Sequence, residues 1–136
     1  MHYKKWIRGT GIGMAELTVG ILGYGRIGKH LANNLIKIGC KRVIIYDSNK
    51  RQYKKKKKVD FVSKRYLIEN SDVISIHLPL TKSTSNMFNY SLFKKMKKNS
   101  YIVNTARGEI INEDDLFKSL KNNIIAGAAL DVFELP

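Results

Sequence analysis

Short apolar runs alternate with stretches of helical period from residue 17 onward. "LTVGILG" (17–23), "RVIIYD" (42–47), "VISIHL" (73–78), "SYIVNT" (100–105) and "IIAGAAL" (124–130) read as five strands. Between the first two, Ile27, Leu31, Leu35 and Ile38 recur at helical spacing, and Gly39 stands where a helix ends on a left-handed residue. A short helical piece is expected around Arg65–Glu69. Asn89 is placed to cap "YSLFKKMKK", which sets its lysines at the carboxyl end of the helix dipole. Asn112 is placed to cap "EDDLFKSLKN", with Glu113, Asp114 and Asp115 in the first turn and Lys118 and Lys121 later, the favoured electrostatic order.

The strands are short and apolar on both faces, and helices separate them. That pattern predicts an α/β fold, a doubly wound parallel sheet covered on both sides. The 136 residues suit a single domain: a lead-in over residues 1–16, then the α/β unit over 17–136. With 43% hydrophobic residues, a chain of this length buries about two-thirds of its unfolded surface.

Charge changes the picture only partly. Twenty-five Lys and Arg face 11 Asp and Glu, a formal net charge of +14, which attracts polyanions in general. Lysine dominates the cations, and no stacking or base-reading pattern accompanies them, which argues against nucleic acid as the partner. The run Lys54–Lys58 reads as a solvated basic loop, with a polyanion patch or a localisation signal as the sharper alternatives. One cysteine, Cys40, excludes an intramolecular disulfide and is expected to pack as a small residue. No apolar run has signal-peptide length or nears the ~18 residues of a membrane span, so the expectation is a cytoplasmic chain with no membrane partner. His2 and His30 lack metal-ligand neighbours, and no metal is expected; Trp6 reads as a packing residue.

"GYGRIG" (23–28) follows an expected strand and opens an expected helix, the context that gives G-x-G-x-x-G its meaning. Gly23 permits the tight turn, Gly25 lets the backbone approach a pyrophosphate, and Gly28 lets the helix pack close to the strand. The helix start offers free N–H groups to phosphate, and Arg26 can add charge there. Asp47, 19 residues after Gly28, ends the second strand where a carboxylate accepts hydrogen bonds from the adenosine ribose. It would repel a 2′-phosphate, so NAD is favoured over NADP; Lys50 and Arg51 nearby soften that preference. The fourth strand then carries Asn104, Thr105, Ala106 and Arg107 to the sheet edge where such ligands lie. Small residues there admit a ring, and Arg107 can offer its planar fork to a carboxylate or carbonyl.

The blocks "KKWIRGTGIGMAELTVGILGYGRIG", "SDVISIHLPLTKST", "NTARGEIINEDDL" and "AGAALDVF" together resemble the NAD-binding domain of the D-isomer-specific 2-hydroxyacid dehydrogenases, a Rossmann fold, over nearly the whole chain. The resemblance implies hydride transfer between NAD and C2 of a 2-hydroxy or 2-oxo acid. It implies that Arg26 and Ile27 sit on the pyrophosphate and Asp47 on the ribose. Leu78, Pro79 and Thr84 would form a cofactor-contacting turn. Thr105 and Ala106 would line the nicotinamide pocket, with Asp131 on the carboxamide. Arg107 matches the catalytic arginine that binds and polarises the 2-oxo acid, and His77 stands as a cofactor-wall residue. Pairing into a homodimer is also implied.

An always-charged arginine cannot supply the proton that accompanies hydride transfer; the family uses a histidine tuned by a glutamate. Here Pro136 falls at the glutamate's place, Glu134 is out of register, and neither the histidine's segment nor a substrate domain is expected within these residues. Three functional readings follow. The first is the cofactor domain of an NAD-dependent D-2-hydroxyacid dehydrogenase that does not turn over alone. The second is a catalytically inactive NAD-binding module. The third is a basic nucleic-acid binder, whose binding would fall steeply with salt.

Overall fold

The computed structural model describes residues 11–49 and 53–135. Expectations for His2, Trp6, Lys50, Arg51 and Pro136 fall outside the described residues. A 3-10 turn at Met14–Glu16 leads into β1 (Thr18–Leu22), which is followed by α1 (Arg26–Lys37) and β2 (Arg42–Tyr46). Then come β3 (Val59–Phe61), α2 (Lys64–Asn70), β4 (Val73–Ile76), α3 (Tyr90–Phe93), β5 (Tyr101–Asn104), α4 (Glu113–Lys121) and β6 (Gly127–Leu130). The sheet runs β3-β2-β1-β4-β5-β6 with every named pairing parallel. This is the doubly wound arrangement, and the direction of winding reverses between β1 and β4.

Alternation along the strands divides the interior in two. Val19, Ile21, Val43 and Ile45 join Ala32 and Leu35 of α1 on one face. Leu22, Ile44, Ile74, Ile76 and Ile102 turn to the other face, where Leu67, Ile68, Phe93 and Leu116 of the remaining helices meet them. Gly20 marks a close approach of α2 to β1 on that second face. A Cβ there would overlap Ser71 Oγ and stand 2.8 Å from Leu67 Cδ2. Cys40 is fully buried beside the first cluster, its Sγ 3.3 Å from the Leu17 carbonyl, as a packed small residue.

Three elements differ from the sequence expectation. A sixth strand, β3, pairs with β2 at the sheet edge; its three residues follow directly on the lysine run, too short for an alternation to show. β6 begins at Gly127 instead of residue 124, because Ile125 leaves the strand line to fill the core under α4. The helix capped by Asn89 ends at Phe93, so its lysines follow it instead of lying within it. The caps are as expected: Asn89 and Asn112 side chains accept from Leu92 and Asp115 N–H, and Gly39 has φ 86° just past α1. Lys54 to Lys58 are all exposed, as a basic loop should be, with Lys56 Nζ donating to Asn33 Oδ1 at 3.0 Å.

Gly20→Val should destabilise the domain by about 1–3 kcal/mol through overpacking against α2. Urea denaturation measures this, and an unchanged midpoint would contradict the close approach of α2 to β1.

Candidate functional site

Register sets the site. Tyr46, Leu22, Ile76, Asn104 and Leu130 lie side by side across β2, β1, β4, β5 and β6. The residues one step further along are Asp47, Gly23, His77, Thr105 and Asp131, so four expected site residues and one expected wall residue emerge in a row at the carboxyl edge. Backbone bonds continue the ladder there: Gly23 N–H donates to Tyr46 O at 2.9 Å, His77 N–H to Leu22 O at 2.7 Å, and Asp131 N–H to Asn104 O at 3.0 Å.

Above this row, at the reversal of winding, opens a cleft of about 590 Å3. Gly25, Arg26, Ile27 and Gly28 form one wall at the start of α1. His77, Leu78, Pro79 and Leu80 form a second, and Thr105, Ala106 and Arg107 a third. The cleft lining holds two arginines and no carboxylate, so its field favours anions. A larger hollow of about 700 Å3 lies at the opposite, amino-terminal edge between Leu17, Val73, Lys97 and Tyr101, away from the glycine loop and from Arg107.

Packing requires two glycines of this loop but not the third. Gly23 has φ 96°, and a Cβ there would overlap the His77 carbonyl oxygen. A Cβ on Gly28 would overlap the Gly23 carbonyl oxygen, so this glycine is required by the contact between helix and loop. Gly25 is different: a Cβ there meets nothing within 4 Å, so the backbone is bare toward the cleft. Ser63, Asn89 and Asn112 cap α2, α3 and α4 with side-chain bonds, whereas α1 has no side-chain cap and no acid in its first turn. Its free N–H groups face the cleft, and Arg26 sits where the helix dipole repels a cation, a local cost that a bound anion would remove.

Gly23, Asp47, Thr84 and Asp131 are not among the cleft's lining residues. The half-buried Asp47 carboxylate ties the loop to β2: Oδ2 accepts from Tyr24 N–H at 2.6 Å, and Oδ1 from Asn49 N–H at 2.8 Å. A carboxylate has lone pairs left for two hydroxyls. Thr84 locks the turn after β4, its Oγ1 donating to Pro79 O at 2.7 Å and accepting from Thr81 N–H at 2.8 Å. Asp131 is exposed just past β6. The Arg107 guanidinium rests on its own loop, Nη1 donating to Ala106 O at 2.7 Å. His77 is half-buried with Nε2 2.8 Å from Ser75 Oγ, and burial pushes its imidazole below the usual value.

Sequence reasoning missed three features. Leu80 belongs to the wall beyond Pro79; Ser75 partners His77; and Asp47 is a fastening for the glycine loop as well as an acid at its edge. For Ser75 the signal was present: a hydroxyl in an apolar strand, two residues before a histidine, shares its face.

Residues 1–135 match the family described as D-isomer specific 2-hydroxyacid dehydrogenase, NAD binding domain. The chain belongs to that family. It is 42% identical over 127 residues to a glyoxylate reductase of Thermofilum pendens, covering 92% of this chain and 37% of the relative. The NAD-complexed D-isomer specific 2-hydroxyacid dehydrogenase of Lactobacillus delbrueckii ssp. bulgaricus superposes with a TM-score of 0.83 at 35% identity, over 89% of this chain and 36% of that one. An NAD-dependent formate dehydrogenase from Staphylococcus aureus in complex with NAD gives 0.82 at 41% identity, over 88% and 35%. The chain thus spans little more than a third of the length of these dehydrogenases. Among the described residues no helix is long and apolar enough to cross a membrane, and no cluster of metal-ligating side chains occurs.

Two glycine variants should separate packing from open space in this domain. Gly28→Ala is expected to lower stability by about 1–3 kcal/mol by forcing α1 off the loop. Gly25→Ala should leave the melting temperature within about 2 °C, since the added methyl enters open space and its backbone (φ −77°) suits any residue. Thermal melts of both variants check this. His77 should titrate below the ordinary 6.5 by NMR. Its neutral form is favoured in the fold, so its share of stability is complete above pH 6.5 and declines as pH falls from there toward the folded value. A midpoint at or above 6.5 would contradict its burial.

Proposed function

We propose that this chain binds NAD(H) along the carboxyl edge of its sheet and presents Arg107 to a 2-hydroxy or 2-oxo acid, as the cofactor domain of a D-2-hydroxyacid dehydrogenase. One observation carries the reading: the uncapped start of α1, the bare backbone of Gly25 and the guanidinium of Arg107 line the same cleft. Phosphates fit the anion site at the helix start, with Gly25, Arg26, Ile27 and Gly28 around them. Asp47, beside Gly23 and Tyr24, is the acceptor for ribose hydroxyls. Leu78 and Pro79 form an apolar wall, and Thr84 acts by holding their turn. Thr105 and Ala106 leave room for a flat ring. Asp131, one residue past Leu130, is the nearby acceptor for the ring's amide.

Bound NAD would supply a hydride acceptor or donor for C2 of the acid. Arg107 would hold the acid's carboxylate by a bidentate, charge-assisted pair and so orient C2. It cannot move the C2 hydroxyl proton, because a guanidinium does not titrate at neutral pH. Among the described residues, His77 is the one imidazole lining the cleft, and its Nε2 is engaged by Ser75. That engagement favours a second reading, a module that binds NAD(H) and acid without turning them over. The expectation of pairing into a homodimer rests on family resemblance and is tested by sedimentation; a cytoplasmic setting remains the expectation from the lone cysteine. The net charge of +14 resides largely on exposed lysines outside the cleft. Binding to oligonucleotides that ignores NAD would support the polyanion reading instead.

Titration by NADH and NADPH fluorescence tests the proposal. NADH should bind at least about tenfold more tightly than NADPH, because Asp47 repels a 2′-phosphate. Asp47→Asn should narrow that ratio. With NADH and a panel of 2-oxo acids, the purified chain should show no oxidation above buffer. Failure to bind either nucleotide would overturn the proposal, and brisk NADH oxidation would overturn the second reading.

A further inference from the structure

Just beneath Arg107 lies a polar side chain that does not line the cleft. Asn104, the last residue of β5, is 0% exposed. It shares a strand face with Ile102, which packs into the cluster beneath α3 and α4. A carboxamide in such a place must find partners or destabilise the fold. It finds both within three residues: Nδ2 donates to the Arg107 carbonyl at 2.8 Å, and Oδ1 accepts from Ala106 N–H at 3.0 Å. One planar group therefore spans the loop from 105 to 107 and closes it as a ring. Only a donor and an acceptor side by side can do this. Aspartate keeps the acceptor and loses the donor, and leucine loses both.

The loop is held from behind as well. Gly108 is buried, and a Cβ there would overlap the Phe133 carbonyl group and stand 2.6 Å from Glu134 N. With the backbone fixed on these two sides, the side chains of Thr105 and Arg107 are left exposed at the cleft. The only hydrogen bond of the guanidinium among the described residues is the exposed one to Ala106 O. We propose that Asn104 is the positioning residue for Arg107: its carboxamide holds the loop in the shape that aims the guanidinium into the cleft. Arg107 can then leave Ala106 O for a carboxylate without the loop changing shape. The inference rests on the reading of Arg107 as the group that binds the 2-oxo acid.

NMR on the 15N-labelled chain tests the brace without any ligand. In the wild type, Ala106 N–H should exchange at least about tenfold more slowly than a free amide. In Asn104→Leu that protection should vanish while the amides of Ile44 and Ile74 stay protected. Free exchange of Ala106 in the wild type would overturn the brace even if every variant fails to fold. The second arm adds NADH and then oxamate, a 2-oxo acid isostere, followed at the Arg107 Nε–H signal. Asn104→Asp should bind NADH within about twofold of wild type and oxamate roughly tenfold more weakly. A merely structural asparagine would weaken both ligands together, and unchanged oxamate binding would also overturn the proposal. If the wild type binds no NADH, the proposed function falls, while the Ala106 measurement still decides the brace.

Discussion

The contact between Gly28 and the carbonyl of Gly23 governs this molecule. It lets α1 start directly against the end of β1, with no side chain between helix and loop. The glycine-loop side of the carboxyl edge takes its position from that contact. The helix start is brought over the sheet at the point where the winding reverses, and its N–H groups remain unpaired by any side-chain cap. The turn can be this tight because Gly23 adopts φ 96°, which an L side chain rarely does. Asp47 then fixes the loop laterally by accepting from Tyr24 N–H, so the start of α1 and the Asp47 carboxylate are parts of one unit.

The third wall of the cleft is held by different means. The 105–107 loop leads into a single 3-10 turn at Gly108–Ile110, and a buried carboxamide below and the backbone of Phe133 behind hold it. The two loops solve the same problem, an exposed backbone that must keep its shape without ligand, by using one polar side chain each. Buried or half-buried acceptors and donors that have found partners resist opening, because breaking the bond leaves a costly orphan. Electrostatics adds direction. The cleft lining carries Arg26 and Arg107 and no acid, while described acids such as Asp60, Glu69 and Asp72 pair with cations elsewhere on the surface. Those exposed pairs contribute little to stability, and they leave the positive field of the cleft uncompensated.

Much of this was legible in the chain itself. Apolar runs broken by helical period gave five of the six strands, and Asn89, Asn112 and Gly39 announced helix ends through their local chemistry. The glycine loop was legible because G-x-G-x-x-G encodes backbone geometry directly. β3 was not, since three residues after a lysine run carry no period and the strand exists only because β2 offers an edge to pair with. α3 stops at Phe93 although the lysines beyond it are good helix formers; there the N–H groups of Lys95 and Met96 bond back to the Leu92 and Phe93 carbonyls, three residues away, a tighter turn than the α-helix.

Sequence alone determined which residues could serve: a bare glycine, an acid after the second strand, an arginine after the fourth. Local spacing is enough for that, because each of those signals involves neighbours in the chain. Tertiary structure decided what they do together. Asp47 meets Tyr24 across 23 positions, Gly108 meets Phe133, and the row Asp47, Gly23, His77, Thr105 and Asp131 exists only through strand register. Such pairings depend on which strands lie side by side, and that is settled by burying both sheet faces at once, which no single stretch of sequence contains.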